Sequence, residues 1–229
     1  SVCLKTSAPQ QNRDIFLHQL HTFINYHHLK NVHFVAPSKY MYHALQYIGK
    51  FSSINLIHNG VSLPNEKTSY TKIILWVGRI TKEKGLQNII GILNDIAKLG
   101  ELKIIVLGNG PLKQELEKKY KYIRFLGHQN PNLYYQISSI LVCSSLWQEP
   151  FGLTITEAMS YGLTVLAPQI GGIPEIITDN QTGYLYPPGD METFSSLLKE
   201  TLDNSNNIKK TGDKARNIIA KKFTWEKTT

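Results

Sequence analysis

From residue 73 onward, short apolar runs alternate with segments of helical spacing, and this alternation leaves few folds open. The stretches 73–77, 103–107, 123–126, 140–143 and 164–167 are four or five residues long and mostly apolar, as in strands buried on both faces. Between the first two lies 85–99, with Leu86, Ile89, Ile90, Leu93 and Ile96 on one helical face. Helices are also expected at 111–120, with Pro111 in its first turn, at 133–137, and after glycine at 152–161. Two more, 192–202 and 208–222, close the chain. Strand and helix in regular succession predict an α/β fold, a Rossmann-like doubly wound parallel sheet. Such a sheet keeps its ligands beyond the carboxyl ends of its strands.

The first third is less regular. A helix is expected over 14–29, a strand at 33–36 ending in Pro37-Ser38, a helix at 40–48 closed by Gly49, and a strand at 54–57 leading to Asn59-Gly60. These pieces predict a partial second α/β domain over 1–61. The polar stretch 62–72, with Pro64, reads as a linker, and 73–229 as the main domain.

Charge and cysteine usage narrow the class. The formal charge is +8, and residues 1–71 hold six basic against two acidic side chains. The basic residues are scattered and form no recognition motif with aromatics, so no nucleic-acid partner is expected. An anionic membrane surface or a phosphorylated ligand explains the balance. Cys3 and Cys143 are far apart, which predicts reduced thiols and a cytoplasmic setting. No apolar run approaches the length of a membrane span. Seven of eight histidines precede residue 59 without zinc-ligand spacing, so no metal site is expected among them.

The strongest chemical signal is a pair of acids. Between Phe125 and Pro174 the only formal charges are Glu149 and Glu157, with seven residues between them. Glu149 falls in the loop after the strand at 140–143, and Glu157 about two turns into the helix, on a stripe with Thr154 and Tyr161. The opening amides of that helix suit an anion. Solvated or capping carboxylates are the competing account. No Lys or Arg lies between Arg124 and Lys199 to neutralise them locally, which favours a polyhydroxylated ligand as their partner.

Three other loops follow strands. In 78–85, Arg79 supplies a planar fork and Lys84 a point charge that together could grip a diphosphate, against the plainer reading of a solvated loop. Gly108-Asn109-Gly110 has Lys113 where a dinucleotide fingerprint needs its third glycine, so a nicotinamide or flavin cofactor is not supported. Gly171-Gly172 would let backbone amides approach a ligand, or make a simple tight turn.

Taken in order, G-R-x-x-x-x-K-G, G-N-G-P, F-L-G, E-P-F-G-L-T-x-x-E-A-M, G-G-I-P-E and G-Y-L-Y-P-P-G-D resemble the carboxyl-terminal half of the retaining, GT-B-fold glycosyltransferases, the "glycosyl transferases group 1" family. The resemblance covers about 72–226, and 31–61 is similar to the end of that family's amino-terminal domain. It implies transfer of a hexose-type sugar from a nucleoside diphosphate sugar, with retention, to a glycan or lipid-linked acceptor, as in polysaccharide biosynthesis. Arg79 and Lys84 would stabilise the departing diphosphate, with Gly78, Gly108 and Gly110 in the surrounding loops. Phe151, Gly152 and Leu153 would offer backbone amides, Glu157 would hold ribose hydroxyls, and the loop holding His128 would meet the base. Glu149 would touch the donor sugar, either as a nucleophile or while the acceptor attacks from the leaving-group face. No D-x-D pair occurs, so neither a metal nor any cofactor beyond the donor is expected. Only about sixty residues precede the linker, which implies either a truncated chain or one whose partner supplies the missing amino-terminal domain. A peripheral place at the inner membrane surface would suit a lipid-linked acceptor. The alternatives are a nucleotide-sugar binding module without catalysis of its own, or an isomerase using the same nucleotide sugar.

Overall fold

The computed structural model describes residues 32–48 and 51–228. The helix expected over 14–29, and Cys3, lie outside the described residues. The described part of the first unit comprises strand β1 (His33–Ala36), helix α1 (Lys39–Ile48) and strand β2 (Ser53–Leu56), with the two strands paired in parallel.

The main unit begins at β3 (Ile73–Val77) and continues through α2 (Leu86–Lys98), β4 (Lys103–Leu107), α3 (Lys113–Lys119), β5 (Ile123–Gly127), α4 (Pro131–Ile137) and β6 (Ile140–Val142). Then come α5 (Leu153–Tyr161), β7 (Thr164–Pro168), α6 (Ile173–Ile176), β8 (Tyr184–Tyr186), α7 (Met191–Asp203) and α8 (Ser205–Lys222). The six strands stand in the order β5-β4-β3-β6-β7-β8, every neighbouring pair parallel. This is the doubly wound sheet that the alternation predicts.

Successive strand residues point to opposite faces, and each face carries its own apolar layer. Leu75, Ile105, Leu141 and Val165 pack with Ile155 and Met159 of α5 and Ala215 and Ile219 of α8. Ile74, Trp76, Ile104 and Val142 pack on the other side with Leu86, Ile89 and Leu93 of α2 and Phe194 and Leu198 of α7. Each fully buried aliphatic side chain of this kind contributes about 1.5–3 kcal/mol.

Some boundaries differ from expectation, with local causes. The helix expected from Pro111 begins at Lys113, because the turn before it folds inward and the Leu112 amide donates to Ile80 O at 3.2 Å. Helix α8 begins at Ser205, three residues early, where the Asn204 side chain caps it by accepting from the Asn207 amide at 3.1 Å. The stretch 62–72 runs to β3 pinned along its length. The Thr68 amide donates to Tyr161 O and the Ser69 amide to Gln136 O, both at 2.9 Å, and Arg216 donates to the Ser160 and Pro64 carbonyls. Among the described residues no helix is long and apolar enough to cross a membrane.

Candidate active site

Strands β3 and β6 are neighbours, yet the chain leaves them in opposite directions, toward β4 and toward β7. Their following loops therefore part at the carboxyl end and leave a crevice between them. Trp76 Nε1 donates to Ser144 Oγ at 3.0 Å, and that hydroxyl donates to Lys84 O at 2.8 Å. The Leu146 amide adds a bond to Glu83 O at 2.8 Å.

This stitching brings Lys84 to Glu149, with Nζ 2.5 Å from Oε1. The two side chains are only 25% and 14% exposed. No cation lies near Glu149 along the sequence, and this partner arrives from the loop after the neighbouring strand β3. Glu149 is thus neither a lone acid nor a freely solvated one.

Arg79 is exposed. With Gly78, Gly108, Asn109, His128 and Gln129 it lines a cavity of about 410 Å³ between the ends of β3, β4 and β5. Gly108 has φ 133°, and a Cβ there would overlap the Gly78 carbonyl oxygen. At Gly110 a Cβ would overlap Ile80 O. These two glycines are therefore needed by loop-on-loop packing, whatever binds above them.

Phe151 is buried at 2% exposure, its ring 5.8 Å from those of both His58 and Phe223. Gly152 and Leu153 open α5. No acceptor among the described residues takes the Phe151, Gly152 or Leu153 amide. Cys143, one residue past β6, has its thiol pushed up to about 11 by burial, which leaves it a poor nucleophile.

Glu157 sits deeper. Its Oε2 accepts from the Tyr135 hydroxyl at 3.1 Å. Burial raises its pKa, and the Tyr135 bond works against that rise. Tyr161, expected beside it on a polar stripe, is buried. Glu157 and Leu153 line a second cavity of about 540 Å³ with Asn59, Asn132, Tyr161 and Trp225. A larger space of about 860 Å³ opens at the amino ends of β3 and β6, away from all these groups.

The paired glycines 171 and 172 do not point their amides at a ligand. The Gly171 amide donates to Gln148 Oε1 at 3.0 Å and the Gly172 amide to Glu149 O at 2.8 Å. At Gly171, where φ is 58°, a Cβ would overlap the Glu149 carbonyl oxygen. Their work is to hold the Glu149 loop. Just beyond, Glu175 accepts from the Lys39 and Tyr40 amides at 2.8 and 2.9 Å, and Ser38 Oγ donates to Pro150 O at 2.5 Å. The sequence pattern assigns no role to Tyr135, Gln148 or Glu175. Each acts on a partner in a different element, and spacing within one element carries no trace of that.

A parallel sheet with this strand order, with a shielded cation–carboxylate pair where its winding reverses and a cavity at the ends of β3, β4 and β5, is a doubly wound α/β domain. Residues 63–218 match the family described as "Glycosyl transferases group 1", and the chain belongs to that family. It is 33% identical over 165 residues to sulfoquinovosyl transferase SQD2 of Arabidopsis thaliana, covering 69% of this chain and 31% of that protein. It is 28% identical over 174 residues to spore coat protein SA of Bacillus subtilis, covering 68% of this chain and 46% of the relative. The chain thus spans less than half the length of either. Among solved structures it is similar to sucrose-phosphate synthase from Thermosynechococcus elongatus, with TM-score 0.77 and 22% identity over 93% of this chain and 58% of the other. It is similar also to Anabaena HepE in complex with UDP and glucose, with TM-score 0.74 and 20% identity over 94% and 63%. The shared fold is that of the GT-B transferases.

Proposed function

We propose that this chain forms the donor-binding half of a retaining glycosyltransferase that moves a sugar from a nucleoside diphosphate sugar to a glycan or lipid-linked acceptor. The observation that carries the reading is the Lys84–Glu149 pair at the switch point, beside a cavity rimmed by Arg79 and His128. The base lies in the cavity near His128, and the ribose reaches Glu157. The diphosphate spans the Phe151, Gly152 and Leu153 amides, Arg79 and Lys84. Negative charge develops on that diphosphate as the glycosidic bond breaks, and fixed donors there stabilise the transition state. The carboxylate of Glu149 shares its charge with Lys84, which weakens it as a nucleophile and suits it to accept hydroxyls of the donor sugar. The UDP and glucose held by HepE support a uridine donor as the first to test. The net positive charge supports a cytoplasmic place against an anionic membrane, where a lipid-linked acceptor resides.

A second reading is a nucleotide-sugar binding module that depends on a partner chain for transfer. Calorimetry with UDP, ADP, GDP and the parent nucleosides tests the site. Arg79→Ala and Lys84→Ala should each weaken the bound diphosphate by about 1.5–3 kcal/mol, the worth of a bond to a charged group. The nucleoside should lose far less. Equal losses for both ligands would remove the diphosphate assignment, and turnover of a donor by the chain alone would remove the second reading.

A further inference from the structure

Tyr135 and Glu157 meet across two helices beside the crevice. Tyr135 is fully buried, and its hydroxyl reaches Glu157 Oε2 from a different helix. Burial and the neighbouring carboxylate push its phenol well up, so it remains an O–H donor at any ordinary pH. A carboxylate has two oxygens, and among the described residues only Oε2 is taken. Oε1 is left for a ligand.

Helix α4 ties this contact to the base side of the crevice. Its first residue, Pro131, lines the cavity that holds Arg79 and His128, and Tyr135 follows four residues later, about 6 Å along the axis. One rigid turn therefore spaces the cavity wall from the group that holds Glu157.

We infer that Tyr135 is a positioning residue: by occupying Glu157 Oε2 it aims Oε1 at the ribose diol and thereby sets the preference of the site for ribonucleotides. This rests on the assignment of Glu157 to the ribose made above. A carboxylate without this donor would be free to turn about its side-chain torsions, and its buried charge would lose a compensating bond. Both effects weaken its grip on the diol and leave the phosphate contacts untouched.

The experiment compares UDP with 2′,3′-dideoxy-UDP by calorimetry in the wild-type chain, Tyr135→Phe and Glu157→Gln. Adenosine and guanosine pairs replace the uridine pair if one of those bases binds more tightly. The wild type should prefer the ribonucleotide by about tenfold, one charged hydrogen bond's worth. Glu157→Gln should bring that preference close to one. Tyr135→Phe should cut it to about threefold through weaker UDP binding, with dideoxy-UDP affinity held within twofold. A merely structural tyrosine would weaken both ligands alike or neither, and either result overturns the inference. If Glu157→Gln leaves the preference intact, the ribose assignment itself fails, and the role of Tyr135 falls with it. If Glu157→Gln abolishes the preference and Tyr135→Phe does not change it, only the inference fails. Should Tyr135→Phe not fold, Tyr135→Met removes the same hydroxyl with a side chain that fills irregular gaps.

Discussion

At the scale of single residues, the site is a matter of which charges are already satisfied. Lys84 is bound to Glu149, so an incoming diphosphate must compete with a carboxylate for the ammonium group. Glu149→Gln removes that competitor. The variant should bind UDP more tightly, by about 1 kcal/mol for a partly shielded pair, while losing the extra affinity that an attached sugar confers. Calorimetry with UDP and UDP-glucose checks both halves, and unchanged or weaker UDP binding would count against the ion pair as a competitor. Glu157 is a different case. Burial raises its folded pKa above the unfolded value, so the native state holds more protons than the unfolded one between those values. Stability is then highest below the unfolded pKa, falls as pH rises through the window, and carries its full penalty above the folded pKa. Glu157→Gln should melt above the wild type near about pH 7 and approach it below about pH 4. A variant that melts lower at neutral pH would show that the charge stabilises the fold. Glu149 and Glu157 were legible in the sequence as the only charges in a long neutral stretch. That Lys84 and Tyr135 are their partners was not, because each comes from another element.

At the scale of elements, glycines decide how closely the loops of the crevice approach. Gly108 and Gly171 both have left-handed φ values, and both face a backbone carbonyl that a Cβ would strike. Gly108→Ala should therefore cost about 2–4 kcal/mol, the range of steric and backbone disruptions in a packed core, and should impair nucleotide binding because the Gly78–Arg79 loop must move. Gly171→Ala should displace the Glu149 loop and lower affinity for UDP-glucose more than for UDP. Urea unfolding combined with the two titrations distinguishes these effects, and alanine tolerated at both positions would contradict the packing account. The sheet itself was readable because parallel strands buried on both faces are nearly continuous apolar runs. Strand β8 and helix α6 were missed for a simple reason. Tyr184–Tyr186 is three residues and Ile173–Ile176 four, too short for any period to show. The ends of α3 and α8 shifted because an inward-folded turn and an asparagine cap, not the apolar pattern, set where those helices begin.

At the scale of the whole molecule, two units meet beside the Glu149 loop, and the turn at Gly171–Glu175 holds both. Its glycine amides grip Gln148 and Glu149, while its carboxylate takes the first two amides of α1. Ser38, just before that helix, reaches Pro150 on the same loop. A helix N-terminus carries unsatisfied donors and partial positive charge, so a carboxylate placed there stabilises both the helix and its docking. Nothing in the spacing of the first unit foretold this, since Lys39 and Tyr40 find their acceptor in the other unit. Removing the carboxylate should release α1 first. Two charge-assisted bonds at a partly exposed position are together worth about 1–2 kcal/mol, so Glu175→Ala should speed amide exchange in 39–48 by about tenfold. The strands of the main sheet, buried in two apolar layers that do not involve Glu175, should exchange as before. Glu175→Gln, which keeps an acceptor oxygen without the charge, should fall between. Exchange in α1 that is unchanged in Glu175→Ala would mean that apolar contacts alone dock the first unit. Acceleration throughout the main sheet would mean instead that the turn stabilises the whole fold and is no local fastening.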